Sequence, residues 1–429
     1  MEKRNTRVFY GWYVVAASFI ILFFNAGARY AFGVMFKPII AEFGWSRGTV
    51  SLVFFLNMVV FALMLIVVGR IYDRYGPKWV IVGSTFFISA GFILTSFMRS
   101  IEHFFFTYGI LAAIGVAGTA VPLMATLMSK WFDKLRGLAI SLSLSGHSMG
   151  HFILIPLFSL LVVRCGWRAS YFTIGIVMLI INLILTLLVI KGDPHQLGLV
   201  PLGRKEQTEA GGEDAGAAEG PNGNDFTLRQ AMRTRSYWFF TIMMFICGSG
   251  DYFATTHLIP LVTDQGISPV TAGSMLGWYG LMSLAGILIA GPAADRIGSK
   301  IPIVITFVLR VCLFLLVLKY KTVVSLYLFA LFFGFTHLVT APLTPMLIAK
   351  LYGSKHLGLL TGFPNTIHFV GGGLWPFLAG VIFDKTGSYQ LAFVVSAVAA
   401  AVAVGCTFLI VEKRHRVPDE AVAGTAAAA

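Results

Sequence analysis

A ten-residue polar segment occurs twice in the chain, and this repeat constrains the fold more than any other feature. Gly69-Arg-Ile-Tyr-Asp73-Arg74-Tyr-Gly76-Pro-Lys78 returns 222 residues later as Gly291-Pro-Ala-Ala-Asp295-Arg296-Ile-Gly298-Ser-Lys300, with Gly, Asp, Arg, Gly and Lys in register. Each copy joins two long apolar runs. Asp-Arg pairs are too costly to lie in hydrocarbon, so both copies must sit in water. The same register pairs Arg29-Tyr30 with Asp251-Tyr252, Pro38 with Pro260, and Ser46 with Ser268. With slips of one or two residues it goes on to pair Pro122 with Pro342, Lys130 with Lys350 and His147 with His368. A repeat at half the chain length means one bundle used twice rather than a solenoid.

The runs themselves exclude a soluble protein. The chain is 57% hydrophobic and 12% charged over 429 residues, with a mean hydropathy of +0.82. Twelve mostly apolar stretches are each long enough to cross a hydrocarbon core of roughly 30 Å. They are expected at 10–36, 49–70, 79–98, 103–129, 137–161 and 169–190, then at 237–262, 271–292, 301–318, 323–349, 357–382 and 389–411. The expected fold class is an all-α membrane protein of twelve transmembrane helices in two six-helix pseudo-symmetric halves. Residues 1–191 and 237–416 form the bundles, 192–236 a linker, and 417–429 an unordered tail. The net charge of +13 does not mark a nucleic-acid binder, because the basic residues are spread over short loops. Most of the 32 Lys and Arg residues fall in loops on the side of both termini, which makes that side cytoplasmic by the positive-inside rule. The first run shows no small-residue cleavage site and is read as an uncleaved span.

Within the linker, 204–225 is rich in Gly, Ala, Glu and Asp without apolar period and is expected to be disordered. Thr227-Leu-Arg-Gln230 then has capping-box spacing. With Phe226, Leu228, Met232 and Tyr237 beside Arg229, Arg233 and Arg235, it predicts a basic amphipathic helix on the inner membrane surface.

The twin loops, twelve spans and long central loop resemble the major facilitator superfamily of secondary transporters. Gly69–Lys78 and Gly291–Lys300 match that family's signature loop between helices two and three and between eight and nine. Phe9-Tyr-Gly11-Trp12, Arg29-Tyr-Ala-Phe-Gly33, Glu42-Phe-Gly-Trp-Ser46, Trp131-Phe-Asp-Lys134-Leu-Arg136, Asp193-Pro-His-Gln-Leu-Gly-Leu199 and His257-Leu-Ile-Pro260 are similar to its monocarboxylate porter and oxalate/formate antiporter branch. The resemblance implies the major facilitator fold, alternating access, and a small organic anion as substrate. Departures matter. Carboxylate-moving relatives often carry an Arg in helix eight, where this chain has Gly286-Ile287-Leu288. Relatives that exchange oxalate have a Lys in helix eleven, where this chain has Phe363-Pro364-Asn365. His151 stands where the drug-antiporter motif in helix five has Pro.

Charged residues deep in spans are expensive and face a bundle interior or a watery cavity. Here they are Arg29, Asp251 and Arg310. A guanidinium grips a carboxylate with two parallel hydrogen bonds and stays charged. Asp251 can take and release a proton if burial favours its neutral form. Arg29, Tyr30, Tyr252, His147, His368 and Asn365 are therefore the candidate substrate contacts, and Asp251 the candidate proton-coupling residue. A permanent Arg29–Asp251 ion pair joining the halves is the alternative. Arg310 is expected in an outer helix, either held by neighbouring carbonyls or dipping into the domain interior. His151 shares a helical face with His147, His337 is a further candidate near Pro342 and Pro345, and His257 is expected at a rim or in packing. Asp73, Arg74, Asp295 and Arg296 are the expected gating groups, meeting Lys130 or Arg136 when that side closes. No nucleophile motif, metal-ligand spacing or phosphate loop is present, so no enzyme activity and no cofactor is expected. The expected function is transport of a small organic monocarboxylate across the cytoplasmic (inner) membrane with proton symport, by a monomer in the lipid bilayer. Anion exchange on the same fold, or a sensor that no longer transports, are the alternatives.

Overall fold

The computed structural model describes residues 9–203, 226–353 and 355–411, and the expected disordered segment 204–225 and tail 417–429 lie outside them. Among the described residues, twelve long helices run antiparallel: α1 Gly11–Phe43, α2 Arg47–Tyr75, α3 Pro77–Ser96 and α4 Ile101–Trp131, then α5 (136–165) and α6 (167–188). The second half repeats the series as α7 Arg235–Asp264, α8 Pro269–Ile297, α9 Lys300–Lys319, α10 Val323–Tyr352, α11 Leu357–Thr386 and α12 Gln390–Leu409. α5 and α6 are continuous in hydrogen bonding but turn at Gly166, whose φ is 78°. Ten of the helical stretches are apolar and long enough to cross a membrane, with α5 and α6 counted together. α7 completes the set, made less apolar by its Gly248-Ser-Gly-Asp251 and Thr255-Thr-His257 segments.

The sequence repeat is a repeat of conformation. Ser46 and Ser268 are the N-caps of α2 and α8, each side chain accepting from the backbone N–H three residues on. That satisfies one of the donors every helix start leaves free. Gly76 and Gly298 end the same two helices, both with φ of 80°, a conformation in which a Cβ would be strained. Two residues later the repeated lysines close the loops. Lys78 donates to the carbonyl of Leu187 at the end of α6, and Lys300 to those of Phe408 and Ile410 at the end of α12. α1 and α7 run on past Pro38 and Pro260 rather than stopping before them. Proline removes one N–H near the end of each helix, and α1 stops instead at Gly44 in the left-handed region.

The linker is tied to both halves in matching places. Leu202 pairs with the α4–α5 loop through Trp131, Asp133 and Lys134, and Phe226 donates its N–H to Tyr352 at the end of α10. The capping box at Thr227 forms, with Gln230 returning the contact. The helix it starts, however, is a single turn, Leu228–Ala231, and Phe226 and Ala231 are buried against the second half. The expected surface helix is replaced by this short plug, because its apolar residues find protein to pack on.

Across the pseudo-symmetry axis α2 packs on α11, α5 on α8, and α1 on α7. Cross-half hydrogen bonds between described residues occur at two levels. At mid-depth Tyr30 meets His337 and Ser148 meets Ser283. At the end far from the termini, Arg47 bonds Asp264 and Tyr389, Lys37 bonds Asp264, and the N–H groups of Arg47 and Gly48 both donate to Asp384. None lies at the end that carries the twin loops. Among the described residues the halves are hydrogen-bonded to each other at the far end and at mid-depth.

Candidate functional site

α1 packs on α7, and the repeat sets Arg29-Tyr30 of the one against Asp251-Tyr252 of the other. The two dipeptides interlock crosswise. Arg29 reaches over to Tyr252, its guanidinium 5.1 Å from that ring, 4.2 Å from the Phe61 ring of α2 and 5.4 Å from the Phe369 ring of α11. Its hydrogen bond goes to the thioether sulphur of Met58 at 3.3 Å, and its Nε has no partner. Arg29 is 8% exposed, and no carboxylate pairs with it among the described residues. A buried guanidinium with aromatic faces and a weak sulphur acceptor keeps its charge and most of its donor capacity.

Tyr30 turns the other way. Its ring stacks on His151 at 4.1 Å and meets the edge of His147 at 5.7 Å, while its hydroxyl lies 3.1 Å from Nε2 of His337. The other nitrogen of His337 is 2.8 Å from the Tyr279 hydroxyl and 3.4 Å from Oδ1 of Asp251. The hydrogen-bonded link between the halves here runs through Tyr30, His337 and Asp251, while Arg29 crosses only by lying over Tyr252 and Phe369.

The expected alternative of an Arg29–Asp251 ion pair is not formed. Asp251 Oδ1 instead accepts from Nη2 of Arg310 at 2.6 Å, with both side chains about as buried as any in the protein. Arg310 also donates to the Thr336 hydroxyl and carbonyl and to the Cys247 carbonyl, and lies over the Phe333 ring. The Thr336 carbonyl is free to accept because α10 is interrupted just beyond it, at Leu338 and Val339. Arg310 thus dips into the domain interior from α9. A buried charge pair persists only when its remaining donors are satisfied, and these are.

His368 sits beside Tyr252, with its Nδ1 unpartnered. Its ring, the Cys247 thiol and the Asp251 carboxylate offer ligand atoms within 4.8 Å of one another. They do not fit a metal ion: Arg310 already occupies the carboxylate and lies 3.7 Å from the Cys247 sulphur, placing a fixed positive charge where a cation would bind. Asn365 lies on an exposed face of α11, and no hydrogen bond ties it to the central groups. His257 is a packing residue as expected, bonded to the Tyr389 hydroxyl and the Pro376 carbonyl.

Asp73, Arg74, Asp295 and Arg296 are all exposed. The expected contacts to Lys130 and Arg136 are not made; Arg74 stacks on Tyr75 and Lys130 on Tyr72. Solvent reaches both loops, and the charges stay hydrated. Sequence reasoning missed Phe61, Phe369 and Met58 around Arg29, and Tyr279 and Thr336 around the charge pair. Only Tyr279 carried a local signal, a phenol in an apolar span flanked by Gly277 and Gly280.

A family profile described as Major Facilitator Superfamily matches residues 18–273 and 241–428. The chain belongs to the major facilitator superfamily. It is a multi-pass membrane transporter, not an enzyme. Over 398 residues the transporter is 26% identical to the MFS-type transporter YcxA of Bacillus subtilis, covering 89% of this chain and 90% of that one. It is 26% identical over 390 residues to monocarboxylate transporter 13 of Rattus norvegicus, covering 90% and 86%. It is 25% identical over 399 residues to human monocarboxylate transporter 11, covering 90% and 80%. Among solved structures, a bacterial homolog of the human lysosomal transporter Spinster, in an inward-facing and unoccupied conformation, superposes with a TM-score of 0.74. That likeness covers 96% of this chain and 98% of the other at 15% identity. The nucleoside transporter NupG gives 0.72 at 12% identity, covering 94% and 99%. At such identities the likeness is one of fold.

Proposed function

We propose that the transporter carries a small organic monocarboxylate by alternating access with proton symport, and that Arg29 holds the carboxylate. The observation that carries this reading is the contrast between two buried arginines. Arg310 is neutralised by Asp251, whereas Arg29 has aromatic walls, a sulphur acceptor and an unpartnered Nε. An unneutralised guanidinium in a desolvated site is a place for an anion, and a carboxylate matches its planar fork. The printed names of relatives, monocarboxylate transporters 11 and 13, support the same substrate class. Tyr252, Tyr30, His147, His368 and Asn365 complete the proposed anion pathway, and Asp251 is the carboxylate about which the coupling proton is held. We take the loop end as cytoplasmic, so that closure at Arg47, Asp264 and Asp384 leaves the site reachable from inside a cytoplasmic (inner) membrane, with the monomer as the working unit. Midplane binding between halves that rock is the geometry expected of this architecture.

Proteoliposomes given labelled lactate, pyruvate or acetate under an imposed pH gradient test the proposal. Uptake above equilibrium that collapses with the gradient is the expected result. Folded protein that moves none of these carboxylates overturns it, and uptake that needs a trans-loaded anion instead of a gradient replaces symport with exchange.

A further inference from the structure

We propose that the coupling proton resides on His337, and that its arrival switches the Tyr30 hydroxyl from the histidine to the bound anion. The inference rests on the carboxylate reading above and deepens it. Asp251 alone is a poor carrier. Protonating it would leave Arg310 as an unpaired charge at 1% exposure, a state that buried pairs strongly resist. The next titratable group along the same carboxylate oxygen is His337, 3.4 Å away.

The groups packed around His337 decide how its two nitrogens work. Nδ1 faces Asp251 from α7 and the Tyr279 hydroxyl from α8, and Nε2 faces the Tyr30 hydroxyl from α1. Arg310 from α9 stands behind Asp251, His147 and His151 from α5 flank Tyr30, and Cys247 and His368 lie on the far side of Asp251. An ionised carboxylate only accepts hydrogen bonds, so it favours the tautomer with the hydrogen on Nδ1. In that tautomer Nε2 is an acceptor, and the Tyr30 hydroxyl donates to it. When a proton arrives it bonds to Nε2, which becomes a donor, and the Tyr30 oxygen must then accept. The Tyr30 hydrogen is released from the histidine and becomes available to an anion held by Arg29, the residue before it on α1. The added proton and the added carboxylate carry opposite charges, so one proton on His337 and one carboxylate on Arg29 load together without changing the net charge of the site. Losing the proton returns the Tyr30 hydrogen to Nε2, weakens the anion site, and turns the cross-half bond back to its first direction.

The test uses the full-length transporter in detergent and in proteoliposomes, with pyruvate as the probe. Pyruvate affinity, from thermal-shift titrations between roughly pH 5 and 8, should rise as pH falls, by up to about tenfold per unit, as a one-proton linkage requires. In His337→Gln the affinity should no longer change with pH, and accumulation driven by a pH gradient should be lost. Tyr30→Phe keeps the stack on His151 but has no hydroxyl to switch, and its slope should flatten as well. Retention of the slope or of gradient-driven accumulation in a folded His337→Gln protein overturns the assignment. If that variant does not fold, an unchanged slope in Tyr30→Phe overturns it equally. Wild-type binding without any pH dependence removes His337 and leaves the carboxylate site standing. No pyruvate binding or flux in the wild type removes both.

Discussion

Arg29 and Arg310 are the same side chain put to opposite uses by their neighbours. Replacing Arg29 by Lys retains the charge but loses the planar fork and the stacking on Phe61 and Tyr252. Carboxylate affinity of Arg29→Lys is expected to fall by about 10- to 150-fold, the equivalent of roughly 1.5–3 kcal/mol for a charge-assisted contact, read from thermal-shift titration. Folding stability should hardly change, because no protein carboxylate depends on Arg29. Asp251 and Arg310 should behave in the reverse way. Asp251→Asn leaves a buried guanidinium without its counter-charge and should destabilise the fold by about 3–5 kcal/mol, whereas Asp251→Asn/Arg310→Met should recover part of the loss. Melting temperatures of the two single variants and the double one decide it: a double variant no more stable than Asp251→Asn would mean the pair is not what holds Arg310 in place.

At the scale of elements, helix ends do most of the organising. The N-terminus of α2 is capped twice, by its own Ser46 and from the other half by Asp384, which accepts from the N–H groups of Arg47 and Gly48. A carboxylate at a helix start satisfies free donors and meets the positive end of the dipole. Asp384→Asn should therefore weaken closure of the far end by about 1 kcal/mol, roughly fivefold in the ratio of closed to open. Spin labels at Ala41→Cys and Gln390→Cys, both exposed, in a protein lacking the exposed Cys165 and Cys312, would report a larger population of long distances. An unchanged distribution would show that Arg47 with Asp264 closes this end without Asp384. At the opposite end the repeated lysines hold the last carbonyls of α6 and α12, each contact adding about 0.3–1 kcal/mol. Lys300 makes two such bonds and Lys78 one, so Lys300→Ala should lower the melting temperature more than Lys78→Ala.

Across the whole molecule, function requires that closure at one end alternate with closure at the other. The far end is shut here by a cluster of cross-half bonds, while Asp73 and Asp295 are solvated at the loop end. If these loops close the molecule in its other state, Asp73→Asn alters the balance of states and not the site. Counterflow with a saturating carboxylate should slow several-fold while affinity stays within a few-fold. A large loss of affinity at normal turnover would place Asp73 in binding instead. The architecture behind this was legible in the residues themselves. Apolar length announced the spans, and the repeat announced two halves. Within the repeat, the matched Ser46 with Ser268 and Gly76 with Gly298 became matching caps and turns, because caps and positive φ are set by neighbours within four residues. Partnership in the core was not legible in that way. The register paired Arg29 with Asp251, but an arginine on any adjoining helix can reach the same carboxylate. Rotation of α9 and the break in α10 after His337 determined that Arg310 arrives at Asp251, leaving Arg29 to Phe61, Tyr252 and Phe369. Local sequence determines where helices begin, end and cross the bilayer, since those energies are local. Which buried charge meets which is decided by packing between segments far apart in the chain, and only the tertiary structure holds that information.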